Sequence, residues 1–282
     1  MRTLQKPKDS VEDVLKECIS NIRDNNFKNR LYACKESIVL STYEFEKKAN
    51  IHRVYEIKPS DDVNGCVSSK EMCKIYNEKM AKKSAPGRKY YDKYKLVPRN
   101  GICPLCGQRT VSTLDHYLPK TKYPALAISP PNLIPACQDC NKVKSDIEFK
   151  NTEEETIHPY FDNVENEIWL YADIIKEDPL AFRFYIKKPK EWDEILYKRV
   201  KNHFQVFNLQ KLYSAHAAEE FINIDKLLKK IFQKAGIKGL KEHIKDTIDS
   251  ISEVYLNSWK IAMYREIYNN NWFYDIWITG KV

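Results

Sequence analysis

Four of the chain's eight cysteines fall into two identical pairs, Cys103-Pro-Leu-Cys106 and Cys137-Gln-Asp-Cys140. A C-x2-C turn places two thiolates on one side of a tight knuckle. Two such knuckles supply the four soft ligands of a tetrahedral structural zinc. Gly107 follows the first pair, where a knuckle needs a residue free to turn. A redox dithiol would sit in a thioredoxin-like βαβ pattern, and none surrounds these pairs. The 30 residues between the pairs exceed a simple zinc ribbon, so the spacing predicts an insertion.

The insertion contains Leu114-Asp115-His116-Tyr117-Leu118-Pro119-Lys120 and then Pro131-Asn132-Leu133-Ile134-Pro135-Ala136-Cys137. The second knuckle runs on into Asn141-Lys142-Val143-Lys144. Singly, these residues have ordinary readings: a surface Asp-His pair, a turn asparagine at 132, a helix-start asparagine at 141, solvated lysines. Taken in order, the run C-x2-C, D-H, N-L, C-x2-C-N-x2-K resembles the four-cysteine branch of the HNH endonucleases, with their ββα-metal motif. The resemblance covers residues 101–150.

That resemblance implies a structural zinc on Cys103, Cys106, Cys137 and Cys140 and a metal-dependent hydrolysis of phosphodiester bonds. Such hydrolysis needs a base to deprotonate water and a cation to stabilise charge on phosphorus and the leaving oxygen. By position, His116 would be the general base, Asp115 an oxygen ligand of a single catalytic cation, and Asn141 the second ligand. Asn132 would brace the loop that orients the histidine. The motif's last histidine is here Asn141, and an amide oxygen beside a carboxylate favours Mg²⁺ or Mn²⁺ over zinc at that centre. Lys120, Lys142 and Lys144 would surround the cleft and hold the substrate backbone. His158, just beyond the module beside aromatic residues and proline, is a possible active-site neighbour or a packed core residue.

The leading expectation is thus an HNH endonuclease acting on DNA, most simply double-stranded, as an effector of bacterial anti-phage defence or restriction. A partner such as a defence-system ATPase or sensor would supply any ATP-driven step, since the chain has no phosphate-binding loop. The alternative is a non-catalytic zinc module binding nucleic acid or a protein, which needs the cysteines but not Asp115, His116 or Asn141. RNA cleavage would use the same centre.

The elements that must position these residues are mostly helical. Ser10 with Asp13 resembles a helix cap, followed by Val11, Leu15, Cys18, Ile19 and Ile22 at helical spacing. Leu31, Cys34, Ile38, Val39 and Phe45 predict one second helix, and a third starts near Ser68. From 81 to 100 the chain is basic, with Lys82, Lys83, Arg88, Lys89, Lys93, Lys95 and Arg99 against Asp92 and with tyrosines interleaved. Arg88 and Lys89 are candidates for phosphate contact. Ile168–Ile174 and Ala181–Ile186 alternate around Glu177-Asp178-Pro179, which predicts a β-hairpin. Two apolar stripes follow, Phe221 to Ile231 and Leu240 to Trp259, separated at Gly236 and Gly239. The C-terminal aromatics are expected mainly to close the core around the N-terminal helices.

The fold class expected is mostly α with a small central β-containing module. The divisions are 1–100, a helical N-terminal region; 101–150, the HNH-like module; 151–190, an acidic linker and hairpin; and 191–282, a helical C-terminal region. The 282 residues suffice for a real core, and 47 Lys and Arg against 39 Asp and Glu give +8. The longest uncharged stretch, Tyr123 to Gln138, is broken by prolines, so no membrane span is expected. No signal peptide is visible, and Cys18, Cys34, Cys66 and Cys73 are expected as buried thiols in a cytoplasmic chain.

Overall fold

The computed structural model describes residues 1–177 and 179–280, and its chain forms two compact units. Unit 1 comprises residues 1–163 and 198–207; unit 2 comprises 164–197 and the chain from 208 onward. These divisions differ from breaks at 100, 150 and 190.

Unit 1 begins with α1 (Val11–Cys18), whose Ser10 side chain accepts the Asp13 N–H. The apolar run from Leu31 to Phe45 forms two helices, α2 (Asn25–Ala33) and α3 (Lys35–Asn50), and not one. Only Cys34 joins them, so the apolar period continues across the break. A short ribbon of β1 (Asp62–Val63) and β2 (Val67–Ser68) leads into α4 (Ser69–Lys74). Here Ser68 and Glu71 satisfy each other's backbone N–H groups in a capping box. The helix continues as a π-helical stretch over Ile75–Ala81 before α5 (Arg88–Lys95).

Next come β3 (Thr113–His116) and β4 (Leu133–Ala136), an antiparallel pair in which Asp115 faces Ile134 and His116 faces Leu133. α6 (Gln138–Lys144) follows directly. The segment 101–150 shares part of its core with the helices before it. Leu114, Ala127, Ile128 and Leu133 belong to the same buried cluster as Val14, Ile19, Ile38, Met72 and Tyr94. Removing such side chains from water is what holds the strand pair against α1, α3, α4 and α5.

Residues 151–162, expected as part of a linker, are also packed into unit 1. Glu155, Thr156, Ile157, His158 and Asp162 are buried. α7 (Glu194–Val206) contributes its residues from Lys198 onward to this unit. Arg199 is buried there, donating Nη1 and Nη2 to the Asp162 carboxylate at 2.7 Å each and Nη2 also to the Thr156 carbonyl. Burial opposes ionisation of Asp162, but the Arg199 hydrogen bonds win and hold its carboxyl below the usual range.

Unit 2 contains the expected hairpin, β5 (Leu170–Ile175) paired antiparallel with β6 (Ala181–Ile186). Asp178, in its expected turn, lies outside the described residues. α8 (Leu209–Ser252) is interrupted at Gly236, where φ is 64° and ψ is −168°. That backbone region is essentially glycine's alone. A Gly236→Ala substitution should destabilise unit 2 by about 1–3 kcal/mol in a denaturant titration, although a Cβ there meets no atom within 4 Å.

The second apolar stripe ends sooner than the expected Trp259. α8 stops at Ser252, and α9 (Trp259–Asn269) starts afresh with Ser258 as its cap. Between them, the Asn257 side chain accepts from Trp169 and Leu170 N–H and donates to the Glu167 carbonyl, tethering the link to the hairpin. The C-terminal aromatics are built into unit 2 itself: Phe221 meets Phe182, Phe273 and Trp277 at ring separations of 5.6–6.3 Å. Among the described residues, no helix is long and apolar enough to cross a membrane.

Candidate metal centre and adjoining cleft

Each knuckle is made by local backbone bonds. The Cys103 N–H donates to the Arg109 carbonyl and the Gly107 N–H to the Cys103 carbonyl, both at 2.8 Å. Gly107 turns the chain with φ 66°. The Arg109 N–H then points at Cys106 Sγ at 3.5 Å. In the second knuckle Cys137 caps α6, and its Sγ accepts the Cys140 N–H at 3.4 Å. Two backbone donors thus face sulfur, as a thiolate requires.

All four Sγ atoms are buried and lie within 4.8 Å of one another. A tetrahedral zinc with bonds of about 2.3 Å would hold its sulfurs about 3.8 Å apart. The donor set and its spacing therefore fit, and the group can hold a structural metal such as zinc. Hydrogen bonding among the four sulfurs, chiefly from Cys103, pulls the Cys137 thiol below the usual thiol range. The remaining cysteines have no such grouping. Cys18 and Cys34 are buried, with burial pushing their thiols up to about 12 and about 11, whereas Cys66 and Cys73 are only partly covered.

His116 ends β3 beside a loop that Asn132 braces. The fully buried Asn132 accepts the Leu118 N–H at 2.8 Å and donates to the Leu118 and Leu126 carbonyls at 3.0 and 3.2 Å. Those three bonds tie the loop shut across its base. An Asn132→Ala change would strand two carbonyls and an N–H in a dry interior. It should cost about 2–4 kcal/mol of stability by urea denaturation, against near neutrality for a surface asparagine.

The His116 ring is held by a 2.8 Å bond between Nε2 and the Ala127 carbonyl. A carbonyl can only accept, so Nε2 carries the proton and Nδ1 keeps its lone pair. Tyr76 stands edge-on to this ring at 4.4 Å, its hydroxyl donating to the Leu114 carbonyl. Burial, aided by the charge of Lys120, pushes the imidazole down to about 3, so it is neutral near neutral pH.

Asp115, Asn141 and His116 line one cleft of about 320 Å³ with Pro119, Lys120, Gln138, Lys142, Ser145 and Asp146. The Asp115 carboxylate is buried, and its Oδ2 makes no hydrogen bond within the protein. Burial pushes that carboxyl up against the opposing charge of Lys144. A carboxylate oxygen that accepts no hydrogen bond and has only the Lys144 ammonium 3.5 Å away, together with an amide oxygen, is a donor set a hard cation can take. Among the described residues, no second cluster of three or more His, Cys, Asp or Glu ligands exists. A cation here would depend on Asp115 and Asn141.

Several expected site residues lie elsewhere or serve otherwise. Lys144 is not on the rim: it is 1% exposed, donates to the His116 carbonyl at 2.6 Å and lies 3.5 Å from Asp115 Oδ2. Burial removes it from any phosphate track. Arg88 is clamped to Asp92 through Nε and Nη2 and stacks on Tyr91 at 4.5 Å, while Lys89 pairs with Glu17. Lys93 pairs with Asp9. Three of the seven cations of the basic run are thus paired with carboxylates of its own helix and of the α1 region. His158 does not line the cleft. It packs between Tyr117 and Phe161 at 4.4 and 4.7 Å, and its Nδ1 accepts the Tyr160 N–H. Lys120 and Lys142 do stand at the cleft.

Sequence reasoning missed Tyr76, Ala127, Gln138 and Asp146. Gln138 carried a signal, because 138, 141, 142 and 145 share one face of a helix, whereas Asp146 lies beyond the end of α6. Tyr76 and Ala127 carried none, since each reaches His116 only through the tertiary fold.

Three buried imidazoles make unit 1 acid-labile. His116, His158 and His203 are each pushed down to about 3 by burial. An unfolded histidine titrates near 6.5, so between roughly pH 6.5 and pH 3 the unfolded chain binds protons that the folded one does not. Stability should therefore fall as pH drops below about 6.5, with the three imidazoles adding up to about three protons to the slope and Glu155, whose carboxyl burial pushes up to about 7, offsetting about one. Unfolding midpoints measured across this window check it, and His158→Gln should lower the slope by about one proton.

No family model matches the chain, and no solved structure matches it. The chain is similar over nearly its full length to protein ea31 of Escherichia phage lambda, at 26% identity over 294 residues that span 97% of this chain and 99% of the relative.

Proposed function

We propose that the chain is a metal-dependent HNH-type endonuclease that hydrolyses phosphodiester bonds in DNA. The observation that carries this reading is the tautomer of His116. Its Nε2–H is spent on Ala127, leaving Nδ1 as a neutral base in the cleft shared by Asp115 and Asn141. The order of strand, loop, strand and helix around the four cysteines supports the same reading.

In the proposed reaction His116 Nδ1 takes a proton from water as the water oxygen bonds to phosphorus. The phosphorus–O3′ bond breaks, and the departing oxygen takes a proton from solvent. A bound Mg²⁺ or Mn²⁺ would stabilise negative charge on the phosphoryl and leaving oxygens. Asp115 and Asn141 would hold it. Asn132 keeps the histidine loop closed, and Lys120 and Lys142 bind the substrate backbone as phosphate contacts. The competing reading, a non-catalytic zinc module, has no use for an open cleft between Asp115 and Asn141.

The narrower setting we propose is conflict between phage and bacterium, as an effector of defence or restriction; a relative in phage lambda means that the setting includes chains carried by phages. The test is cleavage of supercoiled, linear and single-stranded DNA, and of RNA, by purified protein with Mg²⁺ or Mn²⁺. Cutting that chelator abolishes and that Asp115→Asn or Asn141→Ala depresses is the expected result. DNA left intact by folded, zinc-loaded protein under every cation would end the proposal.

A further inference from the structure

The cleft's charges bear on the order in which it fills, and this inference rests on the nuclease reading. Lys144 lies on the last turn of α6, which Ser145 ends with a left-handed φ of 43°. Its ammonium is wholly buried, 3.5 Å from Asp115 Oδ2. The carboxylate a cation would need is therefore already neutralised from within. Lys120 and Lys142 line the cleft together with Asp115 and Asp146. With Lys144 behind Asp115, three lysines outnumber two carboxylates.

Cation affinity at an oxygen site follows the charge of its ligands. Like charges a few ångströms apart repel appreciably even at the effective dielectric of a partly solvated site. A divalent cation arriving alone thus meets a net positive cleft. A phosphodiester is attracted to that cleft and brings the negative charge it lacks.

We propose that nucleic acid binds this cleft first and that the cation is then held jointly by Asp115, Asn141 and a substrate phosphate, with Lys144 as the positioning residue that imposes the order. Lys144 touches neither substrate nor cation. It fixes Asp115 and the His116 backbone and withholds the charge that would otherwise capture a free ion.

The experiment titrates Mn²⁺ into zinc-loaded His116→Ala protein, whose slowed cleavage leaves the duplex largely whole during the titration, and counts free ion by electron paramagnetic resonance. It is run with and without a short duplex, and binding to the duplex alone is subtracted. Mn²⁺ should bind about tenfold or more tighter with the duplex present. Adding Lys144→Gln should tighten DNA-free binding by about tenfold or more, whereas Lys144→Arg, which keeps the charge, should leave it weak. Equal affinity with and without duplex would overturn the proposal, as would a folded Lys144→Gln protein that binds no better than its parent. Should Lys144→Gln fail to fold, the comparison with and without duplex still decides. A saturable Mn²⁺ site missing from every arm would instead remove the nuclease reading, and the proposal with it.

Discussion

His116→Ala is expected to slow DNA cleavage by about two to four orders of magnitude, the range lost with a general base. The substitution also frees the Ala127 carbonyl from its 2.8 Å bond and removes the ring beneath Tyr76. It should therefore cost about 1–3 kcal/mol of stability, which lowers the melting point without unfolding the chain at assay temperature. Duplex affinity measured on zinc-loaded protein without added Mg²⁺ or Mn²⁺ separates the two effects, because His116 is neutral and contributes no charge to phosphate binding. Affinity should hold while the rate collapses. Burial also keeps the free-base form populated well below neutrality, so wild-type cleavage should not decline from about pH 8 to about pH 6 for want of base. A His116→Ala protein that cuts at the wild-type rate would remove the histidine from the mechanism.

Cys103→Ser is expected to have the larger effect on folding. Zinc-finger peptides gain about 10–16 kcal/mol from a structural zinc, comparable to or larger than the 5–15 kcal/mol that holds a typical domain folded. Here the four sulfurs anchor both ends of the segment that carries Asp115, His116 and Asn132, and Asn141 directly follows the last of them. The knuckle is tied further into unit 1 by a 2.8 Å bond between His203 Nε2 and the Leu105 carbonyl. Loss of one thiolate should destabilise unit 1 by several kcal/mol and abolish cleavage with it. Strong chelator should do the same to the unsubstituted chain. Unit 2 contains none of the eight cysteines and should keep its helical signal, giving two separated transitions by circular dichroism. About one zinc per chain by elemental analysis is the accompanying expectation. A stable, metal-free protein with a single unchanged melt would contradict it.

Local signals account for what was legible before the structure. Ser10 with Asp13, and Ser68, announced helix starts because a cap satisfies the N–H groups of the turn immediately after it. The β5–β6 pairing was legible because alternation along each strand is itself a burial pattern. The knuckles could be read because their ligands are three residues apart. Legibility failed where the partner was distant. Lys89 and Glu17 are 72 positions apart, and nothing near Lys89 distinguishes a paired lysine from a phosphate contact. Lys144, flanked by exposed Val143 and Ser145, resembled a solvated side chain until β3 was seen to run behind it. The break between α2 and α3 escaped notice because one joining residue leaves the apolar period intact.

The division of unit 1 into two stretches of sequence has a consequence for synthesis. Met1–Asn163 leave the ribosome well before Lys198–Phe207, yet the later stretch supplies Arg199 to Asp162 and His203 to the first knuckle. A nascent chain that already displays every cleft residue still lacks two of the bonds that brace them. Asp162 then awaits its cation, and the Leu105 carbonyl its donor. Emergence of the second half of α7 completes the unit, so the capacity to cut should arise late in translation, after the hairpin of unit 2 has been made.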